Sequence, residues 1–216
     1  MSSWNPAFPF SSTMTTSCKD VVSLIFEPDN PCNSIISDAS TYEHLYTVRT
    51  IHGKDAITKL TSAESGTELG RWRWREVRSD ILTLRGLQPR SSSVWLRKSI
   101  LPFTHTASFK DFQGRKFKWK NNAPGLSLEL YAESDPNNPV AVWKKSCRVK
   151  ATERETNDEF YTPATLTVTG TGLEILDLVV ISFCMLEKSR RFAENGTRTK
   201  EGALLAYPNC TPKARS

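Results

Sequence analysis

Leu173-Glu174-Ile175-Leu176-Asp177-Leu178-Val179-Val180-Ile181-Ser182-Phe183-Cys184-Met185-Leu186-Glu187-Lys188-Ser189-Arg190-Arg191-Phe192-Ala193 is the stretch that decides the fold. At 100° per residue, Ile175, Leu176, Leu178 to Ile181 and Phe183 to Leu186 point to every side of the axis. A surface helix would keep a polar face, and this one keeps none. The pattern predicts a helix over about 173–193, opened by Thr171 and Glu174 at capping-box spacing and stopped at Gly196. Its second half, Glu187 to Arg191, is polar and is expected to emerge into water, with its cations near the negative end of the helix dipole. The apolar run Ile175 to Leu186 is broken by Asp177 and Ser182 and falls short of the about 20 residues a membrane span needs. A rod that is apolar all round and too short for a bilayer must be surrounded by protein.

Twelve short segments are available to surround it: 21–27, 33–38, 42–50, 56–61, 68–77, 80–85, 94–100, 107–111, 116–120, 127–133, 140–146 and 164–169. Each alternates apolar and polar residues or is rich in β-branched and aromatic ones, and Gly, Pro, Asn and Asp clusters separate them. They recur too closely for helices to lie between them. The expected fold is therefore mainly β, an antiparallel β-barrel of about 12 strands enclosing the hydrophobic C-terminal helix, which would also remove exposed sheet edges. A lipocalin-like calyx with the helix outside is the alternative, but its helix would be amphipathic. Asp177, a carboxylate on this rod, is expected to be buried and paired with an arginine or backbone amides.

Two strands carry the clearest alternation. In 71–75, Trp72 and Trp74 face one side and Arg71, Arg73 and Arg75 the other; in 116–120, Phe117 and Trp119 oppose Lys116, Lys118 and Lys120. Gln113-Gly114 marks the turn before the second strand, and Asp135-Pro136-Asn137-Asn138-Pro139 reads as a surface loop. The aromatics are expected inside as structural residues. If the two strands are neighbours, the six cations form one basic outer face. Residues 71–120 hold 13 Lys or Arg and three acids, whereas the chain of 216 residues carries only +6. The positive charge is one central block.

The remaining organisation is a Ser-, Thr- and Pro-rich leader over 1–20, a single domain over 21–196 and a tail over 197–216. No basic, apolar secretory signal opens the chain, so the expected location is intracellular and cytoplasmic. Cys18, Cys32, Cys147, Cys184 and Cys210 are scattered and odd in number, which suits free thiols. The Asn195 and Asn209 N-x-T triplets would matter only in a secreted protein.

Several runs together resemble a known family: Gly114-Arg115-Lys116-Phe117-Lys118-Trp119, Leu128-Glu129-Leu130-Tyr131, Val140-Ala141-Val142-Trp143 and Leu176-Asp177-Leu178-Val179-Val180-Ile181-Ser182-Phe183 with Glu187-Lys188. Upstream, Tyr46 to Thr50, Glu68-Leu69-Gly70-Arg71-Trp72 and Arg78-Ser79-Asp80 fit as well. The set is similar to an uncharacterised family of small basidiomycete fungal proteins, domain of unknown function 6593, over roughly 21–192. More distantly, that family resembles tubby C-terminal and scramblase-related barrels, which implies an antiparallel barrel around a C-terminal helix. Tubby-type domains imply phosphoinositide binding, but no headgroup-binding motif of theirs can be placed on residues here.

No Walker, dinucleotide-binding or nucleophile-elbow motif occurs, and His44, His52 and His105 show no ligand spacing. The expectation is a non-enzymatic protein with no catalytic residues, no metal and no cofactor. Nucleic-acid binding needs rings and cations on one face, and alternation puts them on opposite faces. An anionic phospholipid surface needs only the cations, so the functional expectation is binding of anionic headgroups through Arg71, Arg73, Arg75, Lys116, Lys118 and Lys120. The alternative is a protein-interaction or scaffold module, with oligomeric state open.

Overall fold

The computed structural model describes residues 21–101, 104–123, 125–150 and 159–194. The leader, the tail, both N-x-T triplets, the Gly196 stop, Cys18 and Cys210 lie outside them. The strands are β1 (Val21–Glu27), β2 (Ser34–Asp38), β3 (His44–Ile51), β4 (Ile57–Ser62), β5 (Glu68–Arg73), β6 (Ile81–Leu84) and β7 (Arg90–Ser91), followed by a one-turn helix α1 (Ser92–Trp95). Then come β8 (Arg97–Lys98), β9 (Ala107–Lys110), β10 (Lys116–Lys120), β11 (Glu129–Ala132), β12 (Asp135–Lys144), β13 (Cys147–Lys150), β14 (Glu159–Thr162) and β15 (Ala164–Thr169). A 3₁₀ turn, Gly170–Ile175, leads into α2 (Leu176–Glu194).

Thirteen strands form one antiparallel sheet in the order β7-β6-β5-β4-β3-β2-β1-β15-β12-β11-β10-β9-β8, and β13 pairs with β14 in a separate ribbon. The expected closed barrel is not what the ladders draw: β7 and β8 are edges, and no ladder joins them. They are nevertheless tethered. Only α1 and Leu96 separate Ser91 from Arg97, a stretch that reaches at most about 20 Å. Laid flat, thirteen strands would be about 58 Å wide. The sheet is therefore strongly curled, with its two edges bridged by one turn of helix. Of the segment expected as a strand over 94–100, only Arg97–Lys98 is one, as β8; Val94 to Leu96 belong to the bridge.

Helix α2 is buried on all sides over its apolar half, from Leu178 to Leu186. Strands from both halves of the sheet touch it. The Phe183 ring lies 4.3 Å from Trp143 of β12 and 5.2 Å from Phe26 of β1, centroid to centroid. From β10, the Trp119 Nε1–H donates to Ser182 Oγ at 2.9 Å, and Ser182 Oγ in turn donates to the Val179 carbonyl at 3.1 Å. One hydroxyl thus satisfies a buried indole inside an apolar helix. On β5, Gly70 lets Ile181 approach so closely that a Cβ there would lie 2.8 Å from its Cδ1.

Alternation placed the inward residues well: Trp72, Phe117 and Trp119 are buried, with Arg71, Arg73, Lys116 and Lys118 exposed beside them. Four readings need correction. Thr171 and Glu174 form no capping box, because 170–175 is a 3₁₀ turn without a side-chain cap and Glu174 instead accepts from Arg115 at 2.5 Å. Asp177 is exposed rather than buried; it sits in the first turn of α2, where the helix dipole favours a carboxylate, and accepts a hydrogen bond from the Tyr46 hydroxyl at 2.8 Å. The Asp135 to Pro139 run opens β12 as an irregular strand pairing Tyr131 with Pro139 and Ala132 with Asp135, so the turn falls on Glu133 and Ser134. Finally, the polar half of α2 does not emerge: Glu187, Lys188, Arg190 and Arg191 are all at most 5% exposed.

Those charges are buried because they meet one another. Glu187 accepts a hydrogen bond from Arg191 Nε at 2.8 Å and lies 2.5 Å from Arg190 Nη2 as an ion pair. Arg191 also bonds the Asp29 carboxylate and donates to the Asp29 carbonyl at 2.7 Å, while Arg190 donates to the Leu126 carbonyl. Asp29 accepts from the Ser146 hydroxyl at 2.5 Å. Burial opposes the Arg191 charge, but Glu187 and Asp29 outweigh it and raise its pKa. Two further buried groups, Cys32 and Cys184, are free thiols; burial pushes Cys32 up to about 12 and Cys184 well above its ordinary range, so neither is a nucleophile at neutral pH.

Where the 3₁₀ turn passes β12, the backbones nearly touch. A Cβ on Gly172 would lie 2.6 Å from the Val140 carbonyl oxygen and 2.8 Å from a Val168 methyl. Gly172→Ala is expected to destabilise the protein by about 1–3 kcal/mol, as overpacking does in rigid surroundings, measured by urea unfolding; an unchanged midpoint would mean the turn shifts freely.

Candidate functional site

The bridge between the two sheet edges is where the surface chemistry concentrates. On one side of α1 lies a cleft of about 850 Å³, whose walls come from the loop after β5, from α1 and β8, and from α2. On the other side is a second cleft of about 530 Å³, walled by β7, α1, β9 and the start of β10. Val94 and Arg97 line both. Together they hold eight cations, namely Arg75, Arg78, Arg90, Arg97, Lys98, Lys110, Lys116 and Lys188, against three acids, Glu76, Asp80 and Asp111.

The acids are engaged. Asp80 receives Lys188 Nζ at 2.6 Å and the Arg75 backbone N–H at 3.1 Å. Asp111 closes the β9–β10 turn, accepting from the backbone N–H groups of Gln113 and Arg115 and pairing with Arg115 Nε at 2.6 Å. Lys188 rests 4.0 Å above the Trp74 ring centroid, and Trp74 in turn packs edge-on against Phe192 and donates its indole N–H to Thr58 Oγ1 at 2.8 Å. The ammonium is thus fixed in the wall of the larger cleft, with its charge balanced by Asp80 and the indole face against it. Lys98 lies in the same wall; desolvation there lowers its pKa below the usual lysine range, and Lys188 adds to that effect while Asp80 opposes it.

Apolar side chains stand at the same place. Val94 and Ile100 line the larger cleft and are exposed, Leu101 follows Ile100, and Val77 rides on the loop that supplies Arg75, Glu76 and Arg78. Phe112, at the turn between β9 and β10, edges the smaller cleft. Cations and exposed aliphatics thus stand close together on and beside the bridge.

Of the six cations expected to share one face, the structure gathers two. Arg75 lines the larger cleft and Lys116 the smaller. The strands carrying them are not neighbours: β6 and β7 lie between β5 and one edge, β9 and β8 between β10 and the other. Arg71 faces Glu68 at 3.4 Å, Arg73 faces Asp55 at 3.6 Å, and Lys120 lies 3.6 Å over the Tyr131 ring. Lys118 stays exposed in mid-strand on β10. Trp72, Phe117 and Trp119 are core residues, and Trp74 is a half-buried wall of the cleft. Arg78, Arg90, Arg97, Lys98 and Lys110 were not singled out, yet all five belong to the basic block 71–120; the block's total charge, rather than strand alternation, was the signal that held them. Lys188 belongs to the polar helix end expected in water and to the family-like Glu187-Lys188 pair, neither of which pointed to this cleft.

One family model, described as a family of unknown function (DUF6593), matches residues 29–192, about three quarters of the chain. No curated protein and no solved structure matches it.

Proposed function

Because the chain belongs to the family of unknown function DUF6593, we propose its function from its own surface: it is a binding module, without catalysis, that docks on anionic membrane surfaces through the two clefts flanking α1. In this reading the curled sheet acts as a barrel wall around α2, the distant likeness to tubby-type barrels is one of architecture, and α1 is the seam. The observation that supports the proposal is the excess of cations over acids lining the seam. Each basic side chain near an anionic leaflet contributes about 1 kcal/mol, and the cytoplasmic leaflet carries the negative potential. The expected working place is accordingly the cell interior. No helix of the described residues is long and apolar enough to cross a membrane, which agrees with attachment from one side.

Vesicle sedimentation tests it. The protein should pellet with phosphatidylcholine vesicles containing phosphatidylserine and remain in solution with phosphatidylcholine alone. Replacing Arg78, Arg90 and Arg97 with Gln should weaken binding by about a hundredfold, at roughly 1 kcal/mol each. Replacing Arg71 and Arg73, which face acids on the sheet surface, should change it little. Equal binding to neutral vesicles, or retention by the triple variant, would overturn the assignment in favour of a protein-interaction module.

A further inference from the structure

Among the described residues, Ile100 and Val77 are the two most exposed large hydrophobic side chains, at 98% and 96%, and Leu101 is 70% exposed. A single exposed aliphatic is ordinary. These three are not scattered: they occupy two loops, one after β5 and one after β8, that both wall the larger cleft. The first loop also carries Arg75 and Arg78, and β8, immediately before the second, supplies Arg97 and Lys98. Resting on the docking proposed above, we infer that Val77, Ile100 and Leu101 penetrate the bilayer beneath the headgroups while the neighbouring cations stay at headgroup level.

The pattern of side chains selects a bilayer over a protein partner. A protein interface concentrates its energy in buried aromatic or arginine anchors set in a packed patch. Here the protruding groups are aliphatic, largely exposed, and set beside basic side chains. That is the layering an interfacial site requires, with apolar groups entering the acyl boundary and long basic side chains reaching back to phosphates. Penetration also adds a component of binding that salt does not screen, unlike the attraction of exposed charges.

The test compares wild type with Val77→Ser/Ile100→Ser/Leu101→Ser on phosphatidylcholine–phosphatidylserine vesicles at low and high salt, and on lipid monolayers. All three positions are exposed, so thermal melting should show the variant as stable as wild type. Wild type is expected to keep a salt-resistant bound fraction and to raise monolayer surface pressure. The serine variant should lose at least about tenfold of its affinity at high salt, lose less at low salt, and leave the pressure unchanged. If it partitions like wild type at both salts and raises the pressure equally, penetration is overturned while charge-driven docking stands. If wild type does not bind the phosphatidylserine-containing vesicles even at low salt, the docking falls and penetration with it.

Discussion

A chain ended after Thr169 should show no cooperative thermal transition, although it retains every strand. The residues removed include α2, whose apolar side chains from Leu178 to Leu186 are buried at 6% exposure or less. Each buried aliphatic or aromatic side chain contributes about 1.5–3 kcal/mol, and a domain's net stability is about 5–15 kcal/mol. The rod's eight apolar side chains from Leu178 to Leu186 therefore represent about 12–24 kcal/mol, enough to cancel the whole margin, and its loss strips the inner faces of Phe26, Trp119 and Trp143 of their neighbour. Calorimetry on the shortened chain, beside the intact one, reads the effect directly. A sharp transition at the original temperature would mean the sheet has a core of its own, and the packing of α2 would have to be rethought.

The second large effect is expected at Glu187, which is fully buried between two arginines. Glu187→Ala leaves Arg190 and Arg191 in the interior with their shared carboxylate removed. Breaking one side of a buried ion pair costs about 3–5 kcal/mol, which lowers the melting temperature by roughly 6–20 °C in a protein of this size. The cause is desolvated charge, so a sharper comparison is available. Removing both partners of the Asp29–Arg191 pair, as Asp29→Leu/Arg191→Met, should be milder than Asp29→Leu alone, because no orphan charge remains. If the double replacement is as damaging as the sum of the singles, Asp29 and Arg191 are not energetically coupled, and their pairing is not what makes the single replacements costly.

The placement of α2 and of most strands was legible because their side chains obey a period. An all-apolar helix has one solution among soluble folds, and alternation alone put Trp72, Phe117 and Trp119 inside. What escaped were features decided by long-range pairing. Nothing local distinguishes Glu187, Arg190 and Arg191 from a solvated helix end; their burial follows from Asp29, which the topology brings from the opposite end of the chain. Asp177 erred in the other direction, since its helical turn is the first and opens to water beside Tyr46. The two-residue strands β7 and β8 are too short for any periodicity. The candidate site was half visible: the basic block announced it, but choosing cations by the faces of the longer strands selected Arg71 and Arg73, which face acids, over Arg78 on the loop after β5 and Arg97 in the two-residue β8.

The ladder between β1 and β15 carries a consequence for biosynthesis. Val21 pairs with Thr169, and Leu24 with Leu166, so the earliest strand waits for the last before its second edge is covered. At translation rates of about 5–20 residues per second, that wait is roughly 7–30 s. Throughout it, a nascent polypeptide with aromatic-rich strands remains tethered to the ribosome and unable to complete its fold, and pairings this distant are slow even after release. Holdase chaperones are thus expected to find this polypeptide a frequent client, and its yield on recombinant expression should depend on how quickly the C-terminal third leaves the exit tunnel.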